Sequence, residues 1–257
     1  MTPGRVSIIT AVYNAAPTLE ACLLSVRSQS YRDVEHIVID GGSTDRSVEI
    51  LQRHSCLLAY WASEPDSGVF DAWNKGLSVA TGEWIAFLGA EDVLLPDAVS
   101  KYLSVCGGTD AQYVSSLVRL IRPGLPDKII GRPWSWPAFQ RKMTTAHVGS
   151  LHRFDLFESY GNYDTGYKIV GDYELLLRPG KDLNSIFVGE VTAEMLAGGN
   201  SDCFAALTEA QRAKIRTGGR NRVWAVWELW VERLKLAVRR VENLLAPVLN
   251  VGNRKLI

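Results

Sequence analysis

The chain has 257 residues, 47% of them hydrophobic and 22% charged, with a formal net charge of zero. That composition supports a sizeable core, disfavours general disorder and gives no reason to expect a nucleic-acid partner. The charge is unevenly spread: from Phe204 onward there are 11 Lys+Arg against 4 Asp+Glu, and before it 17 against 24, so a mildly acidic body carries a basic tail.

Cys22, Cys56, Cys106 and Cys203 are scattered with no C-x-x-C pair, which reads as reduced residues of a cytosolic protein. The apolar stretch Val6 to Val12 is too short for a signal peptide, and no uninterrupted apolar run approaches membrane-spanning length.

Val6 to Ala11 is expected to form a first buried strand, followed by Tyr13-Asn14 and a helix opened by Pro17 with an apolar stripe at Leu19, Leu23 and Val26. Val34 to Ile39 reads as a second strand running into Asp40-Gly41-Gly42-Ser43-Thr44-Asp45, and the next helix carries Val48, Ile50 and Leu51. Leu57 to Ala62 is the expected third strand. The chain is organised around Ser63 to Asp92: a cap at Asp66-Ser67-Gly68, a helix through Phe70, Trp73, Leu77 and Ala80, and a buried strand Trp84 to Leu88 ending at Glu91-Asp92. A helix after Pro96 and a strand Tyr113 to Ile121 follow. Pro123 to Pro137 reads as a loop whose Trp134 and Trp136 either shape a cleft or plug the core. Beyond it come a short helix after Leu151, a helix entered through Gly171-Asp172-Tyr173-Glu174, and a last strand Ser185 to Val191. Alternation of strand and helix predicts an α/β fold with a mostly parallel sheet covered on both faces.

Asp40 and Glu91-Asp92 sit just past strand ends, where open α/β sheets bind ligands. Each alone is as readily a turn residue or helix cap; their placement beside Tyr13-Asn14 favours a ligand crevice. No G-x-G-x-x-G, P-loop, G-x-S-x-G or H-E-x-x-H pattern is present, which disfavours dinucleotide, hydrolase and zinc-protease readings.

These segments, with Ser63-Glu64-Pro65-Asp66-Ser67-Gly68, Asn74-Lys75-Gly76, Ala80-Thr81-Gly82 and Gly198-Gly199-Asn200-Ser201, resemble the family 2 glycosyltransferases, inverting enzymes of the GT-A fold. The resemblance runs from about Arg5 to Ser201 and implies a catalytic domain over 1–203, with a nucleotide-sugar half 1–115, an acceptor half 116–203 and a tail 204–257. It implies that Asp40 reads the base, with Thr10, Ala11 and Tyr13 lining that pocket, Asp66 completing the nucleotide site, and Glu91 near the ribose or sugar. Glu91 stands where the family usually has Asp; Asp92 is the implied ligand to Mg²⁺ or Mn²⁺. Asp172 is the implied general base, with Glu174 its competitor, and His147 is either a phosphate or acceptor contact or a structural residue. The reaction expected is transfer from a nucleotide sugar, a UDP-sugar above all, to a lipid-linked or cell-surface glycan such as an O-antigen or capsule precursor. The alternatives are a sugar-phosphate nucleotidyltransferase, for which Ala11 to Ala16 lacks the glycine-rich basic loop, and a non-catalytic binding module.

In the tail, Trp224, Trp227, Val231, Leu234, Val238, Val241 and Leu245 recur at heptad spacing; Trp230, Leu236 and Leu244 widen the apolar face, and Arg222, Arg233, Lys235, Arg239 and Arg240 are interspersed. This helix suits packing on its own domain or a second copy; equally, it suits a peripheral place on the anionic inner face of the plasma membrane.

Overall fold

The computed structural model describes residues 1–198 and 203–252, the last helix by its backbone alone after Val238. The expected turn residues Gly199, Asn200 and Ser201 and the side chains of Arg239, Arg240, Val241, Leu244 and Leu245 lie outside the described residues.

In the first half β1 (Thr2–Val12), α1 (Ala16–Arg27), β2 (Val34–Asp40), α2 (Ser47–Arg53), β3 (Tyr60–Ser63), α3 (Val69–Val79) and β4 (Gly82–Gly89) alternate as expected. They build the parallel order β3-β2-β1-β4, with β1 in the middle: Val12 pairs with Asp40 on one side and Ala11 with Gly89 on the other. Successive β1 residues point to opposite faces, so Ile9 joins the layer of Phe70, Trp73 and Leu77 while Ile8 joins that of Cys22, Val26 and Tyr102. Burial on both faces explains the unbroken apolar run. On the α3 side the approach is close: a Cβ on Gly76 would lie 2.3 Å from Cγ2 of Ile9, so only glycine lets the helix sit this near the strand.

The third strand begins later than its apolar run predicts. Leu57 and Leu58 donate backbone hydrogen bonds to His54 and Ser55, closing a helical turn before pairing starts at Tyr60.

The second half contains β5 (Val93–Leu94), α4 (Ala98–Cys106), β6 (Tyr113–Ile121), β7 (Lys128–Ile130), α5 (Trp136–Phe139), β8 (Ser150–Arg153), α6 (Phe154–Tyr160), α7 (Gly171–Leu177) and β9 (Ser185–Leu196). Here the sheet turns mixed. β8, which the sequence reading passes over, runs antiparallel between β4 and β6, and β9 pairs parallel with β6 and antiparallel with β5. The expected loop at 123–137 holds β7, an antiparallel partner of β6, and its tryptophans plug the core: the ring centroid of Trp134 lies 4.3 Å from that of Phe139, and Trp136 packs on the same cluster. α8 (Phe204–Arg216) follows; its buried Ala213 belongs to the main core. α9 (Arg222–Gly252) lies against α8.

Candidate active site

A cleft of about 980 Å³ opens at the carboxyl edge of the parallel strands. Ala11 and Tyr13 reach it from the end of β1, Asp66 and Gly68 from the β3–α3 connection, Glu91 from the turn after β4, and Lys168 from the segment before α7.

The β1–α1 and β2–α2 connections are pinned together. Asn14 takes the left-handed conformation at φ 50° and turns its side chain onto the second loop, where Oδ1 accepts from the backbone N–H groups of Thr44 at 2.8 Å and Asp45 at 3.3 Å. Its own N–H donates to Ser43 Oγ at 2.7 Å. A short amide side chain tolerates this backbone and pays back two bonds, which holds Tyr13 at the rim, 67% exposed. Asp66 is fixed by the N–H of Gly68 at 2.8 Å, and it lies so near the first glycine after β2 that a Cβ on Gly41 would fall 2.5 Å from its Oδ2.

Of the residues named in advance, Ala11, Tyr13, Asp66 and Glu91 line the cleft. Three others stand behind it. Thr10 is fully buried with its hydroxyl 2.9 Å from His36 Nε2. Asp40 has no solvent exposure, and its carboxylate accepts from Gly42 N–H, Ser43 N–H, Ser43 Oγ and Ser63 Oγ. It is thus the knot that holds the loop after β2. Asp92 is 8% exposed and accepts from the N–H of Gly89 at 2.8 Å; burial, with the charge of Glu91 adding, pushes its carboxyl up to about 7. The strand-tip acids therefore do flank β1, but the carboxylates that face the cleft are Asp66 and Glu91.

Asp172 occupies the first turn of α7, half-buried, and accepts from the N–H of Tyr173 at 2.8 Å. Burial raises its carboxyl to about 6. The preceding Gly171 packs on the ring of Phe70, which anchors the start of α7 against the start of α3 and so beside the cleft. Glu174, the competitor, is buried in a different direction: it pairs with Arg178 at 2.6 Å and accepts from Thr217 Oγ1 at 2.8 Å. His147 lies within an aromatic cluster, 4.7 Å from the Trp73 ring and 5.5 Å from Phe87, and burial holds its imidazole well below the usual range. It is half-buried there, its Nε2 3.4 Å from the hydroxyl of Tyr163.

Lys168 was not singled out from the sequence. Its Nζ donates to the carbonyl of Ser67 at 2.8 Å, so it bridges from the α7 side to the Asp66 loop across the cleft. No local pattern announces it, because residues 101 positions apart in the chain meet there.

A divalent cation fits this chemistry. The available donors are carboxylate oxygens, and among the described residues no three His, Cys, Asp or Glu side chains gather into a cage. One or two carboxylates completed by substrate phosphates is how magnesium-type ions are held.

The sheet order and the cleft at its carboxyl edge agree with the expected α/β architecture. The family description "Glycosyl transferase family 2" matches residues 7–154. An uncharacterized glycosyltransferase of Mycobacterium tuberculosis is 37% identical over 180 residues, 67% of this chain and 68% of the relative. A PGL/p-HBAD biosynthesis glycosyltransferase of Mycobacterium bovis is 30% identical over 185 residues, 69% and 70% of the two chains. The chain belongs to glycosyl transferase family 2 and is a glycosyltransferase. Among solved structures, Staphylococcus aureus TarS with UDP-GlcNAc shares the fold at TM-score 0.66 and 13% identity, over 88% of this chain and 70% of that one. The longer TarS chain is matched over 42% of its length. A Pyrobaculum calidifontis mannosyltransferase with GDP-Man and Mn²⁺ matches at TM-score 0.64 and 18% identity, over 97% and 79%.

Proposed function

We propose that the enzyme is an inverting, cation-assisted transferase that takes a UDP-sugar as donor and a hydroxyl of a lipid-linked or cell-surface glycan as acceptor. One observation carries the reading: Asp172 stands in the first turn of α7, four residues after Lys168, which bridges to the loop of Asp66 across the cleft that Asp66 and Glu91 line. TarS holding UDP-GlcNAc and the mannosyltransferase holding GDP-Man with Mn²⁺ support a nucleotide-sugar donor and a divalent ion in this fold.

Tyr13 offers its ring to the base at the cleft mouth, and Asp40 contributes indirectly by fixing the Gly42-Ser43 backbone. Glu91 from the cleft wall, with the one oxygen of Asp92 that Gly89 leaves free, would hold the cation, whose charge would offset that of the departing diphosphate. Lys168 adds a positive charge on the same side. Asp172 takes the proton of the acceptor hydroxyl as that oxygen bonds to the anomeric carbon, and the bond to the diphosphate breaks on the opposite face. The carboxylate ends protonated, the sugar inverted and the nucleoside diphosphate free.

The test is a thermal-shift screen of UDP-, GDP- and dTDP-sugars with and without Mn²⁺, followed by transfer assays on Asp172→Asn. Donor binding that survives in the variant with transfer abolished is expected; a variant that keeps most of its transfer rate would remove Asp172 from the role.

A further inference from the structure

The last helix packs on the body through a narrow face and leaves a broad apolar face outward. Toward the body α9 buries Ala225, Glu228 and Leu236. Glu228 is the ionic anchor: Arg220 Nη2 lies 2.6 Å from Oε1, and Lys214 Nζ 3.4 Å from Oε2. On the opposite side Val223, Trp224, Trp227, Trp230, Leu234 and Val238 are between 48% and 75% exposed, and their helical spacing makes them one continuous stripe. A helix stabilised only by its own domain would present the reverse arrangement, and an apolar patch of this kind marks an interaction surface.

We propose that this stripe is a peripheral docking surface for a bilayer rich in anionic lipid. Charge decides between that occupant and a second copy of the chain. The acids of this part of α9, Glu228 and Glu232, turn inward, with side chains 9% and 23% exposed. At the rim stand Arg141, Lys142 and Lys235, their side chains 63%, 72% and 61% exposed; Arg141 lies 3.7 Å from Glu228, and Lys142 and Lys235 lie 3.8 and 2.8 Å from Glu232. A groove of about 390 Å³ between α9 and the 132–144 segment brings these cations together with Arg132, Lys214, Trp227 and the two acids, so the bases outnumber Glu228 and Glu232. Two copies meeting stripe to stripe would bring like-charged rims together, whereas lipid phosphates complement them. Tryptophans prefer the headgroup level, where an apolar ring and a polar N–H are both satisfied. Among the described residues no helix is long and apolar enough to cross a membrane, so α9 lies on the surface. The inference rests on the tail and the 132–144 segment beside it and needs no assumption about donor or acceptor.

The experiment is flotation of the full chain with phosphatidylcholine vesicles, with and without phosphatidylglycerol, alongside tryptophan emission and analytical ultracentrifugation. Binding to the anionic vesicles with a blue shift, weakened by salt, is expected. The triple substitution W227S/W230S/L234S and the pair K142Q/K235Q, which removes two positive charges without setting new acids beside Glu232, should each lower partitioning at least about tenfold with little change in melting temperature, since all five side chains are on the surface. Failure to bind anionic vesicles at low salt, binding that survives the triple substitution, or a stable dimer that the triple substitution dissociates would each overturn it. None of these readouts involves sugar transfer, so its failure and that of the proposed reaction are distinguishable.

Discussion

Glu209 on α8 accepts the backbone N–H of Lys168 through both carboxylate oxygens, at 3.0 and 3.1 Å, and the same side chain takes the N–H groups of Ile169 and Val170 at 2.9 and 3.3 Å. One carboxylate from the tail thus ties down the strap between the cleft lysine and the helix of Asp172. Glu209→Ala leaves three donors without their acceptor, and a loss of about 1–2 kcal/mol in unfolding free energy is expected from denaturant titration. Donor affinity should fall with it, because Lys168 loses its footing; Glu209→Gln, which keeps an acceptor oxygen, should recover part of both.

The rate of transfer should follow the titration of Asp172. Its carboxyl is raised to about 6 by burial, and only the ionised form accepts a proton. The kcat/KM profile is therefore expected to be flat above that pH and to fall roughly tenfold per unit below it. Asp172→Asn should erase the limb along with the activity; a limb unchanged in position in the residual activity would assign it to another group.

Gly41→Ala tests how tightly Asp66 is seated. The added methyl would sit 2.5 Å from Asp66 Oδ2, so the carboxylate must leave its place. Donor affinity should drop while overpacking costs about 1–3 kcal/mol of stability, read by isothermal titration and by melting.

Glu174 should behave as a structural acid. Glu174→Ala removes the carboxylate to which Arg178 Nε and Nη2 donate, while Nη1 keeps the carbonyls of Tyr160, Gly161 and Asn162. A stability loss of about 1–3 kcal/mol is expected. In the surviving folded fraction the acid limb near pH 6 should stay where it was.

Chelation should separate folding from turnover. Since the described residues contain no three-ligand cage, EDTA is expected to leave the melting temperature unchanged while depressing UDP-sugar binding and transfer, with recovery on adding Mn²⁺. A melting temperature that falls with chelation would show a structural ion instead.

The first half is readable because β1, β2 and β4 are buried on both faces and written as apolar runs, and because its loops carry glycines and acids at strand ends. The α3 stripe Phe70, Trp73 and Leu77 lies in the core as its spacing predicts. The second half was harder. β8 is four residues, Ser150 to Arg153, including a buried His152, and its strand character comes from neighbours 40 and 70 positions away rather than from its own pattern. In the site, the sequence places Asp40 and Asp92 at the right edge of the sheet, but not which way their side chains turn. That depends on backbone donors at Gly42, Ser43 and Gly89 competing with the cleft for the same oxygens. Lys168 and Glu209 depend on long-range packing and leave no local trace.

The sheet passes from one half to the other through a short ladder, Trp84 beside Arg153 and Ile85 beside His152, and the family description ends at residue 154, one position past β8. The match thus covers the parallel strands and the strand that joins the two halves, while α7 with Asp172 lies beyond it. A chimera joined just after Arg153 is expected to keep the nucleotide affinity of its first half while its choice of acceptor follows the second, an outcome that binding and transfer assays on the swapped protein would check.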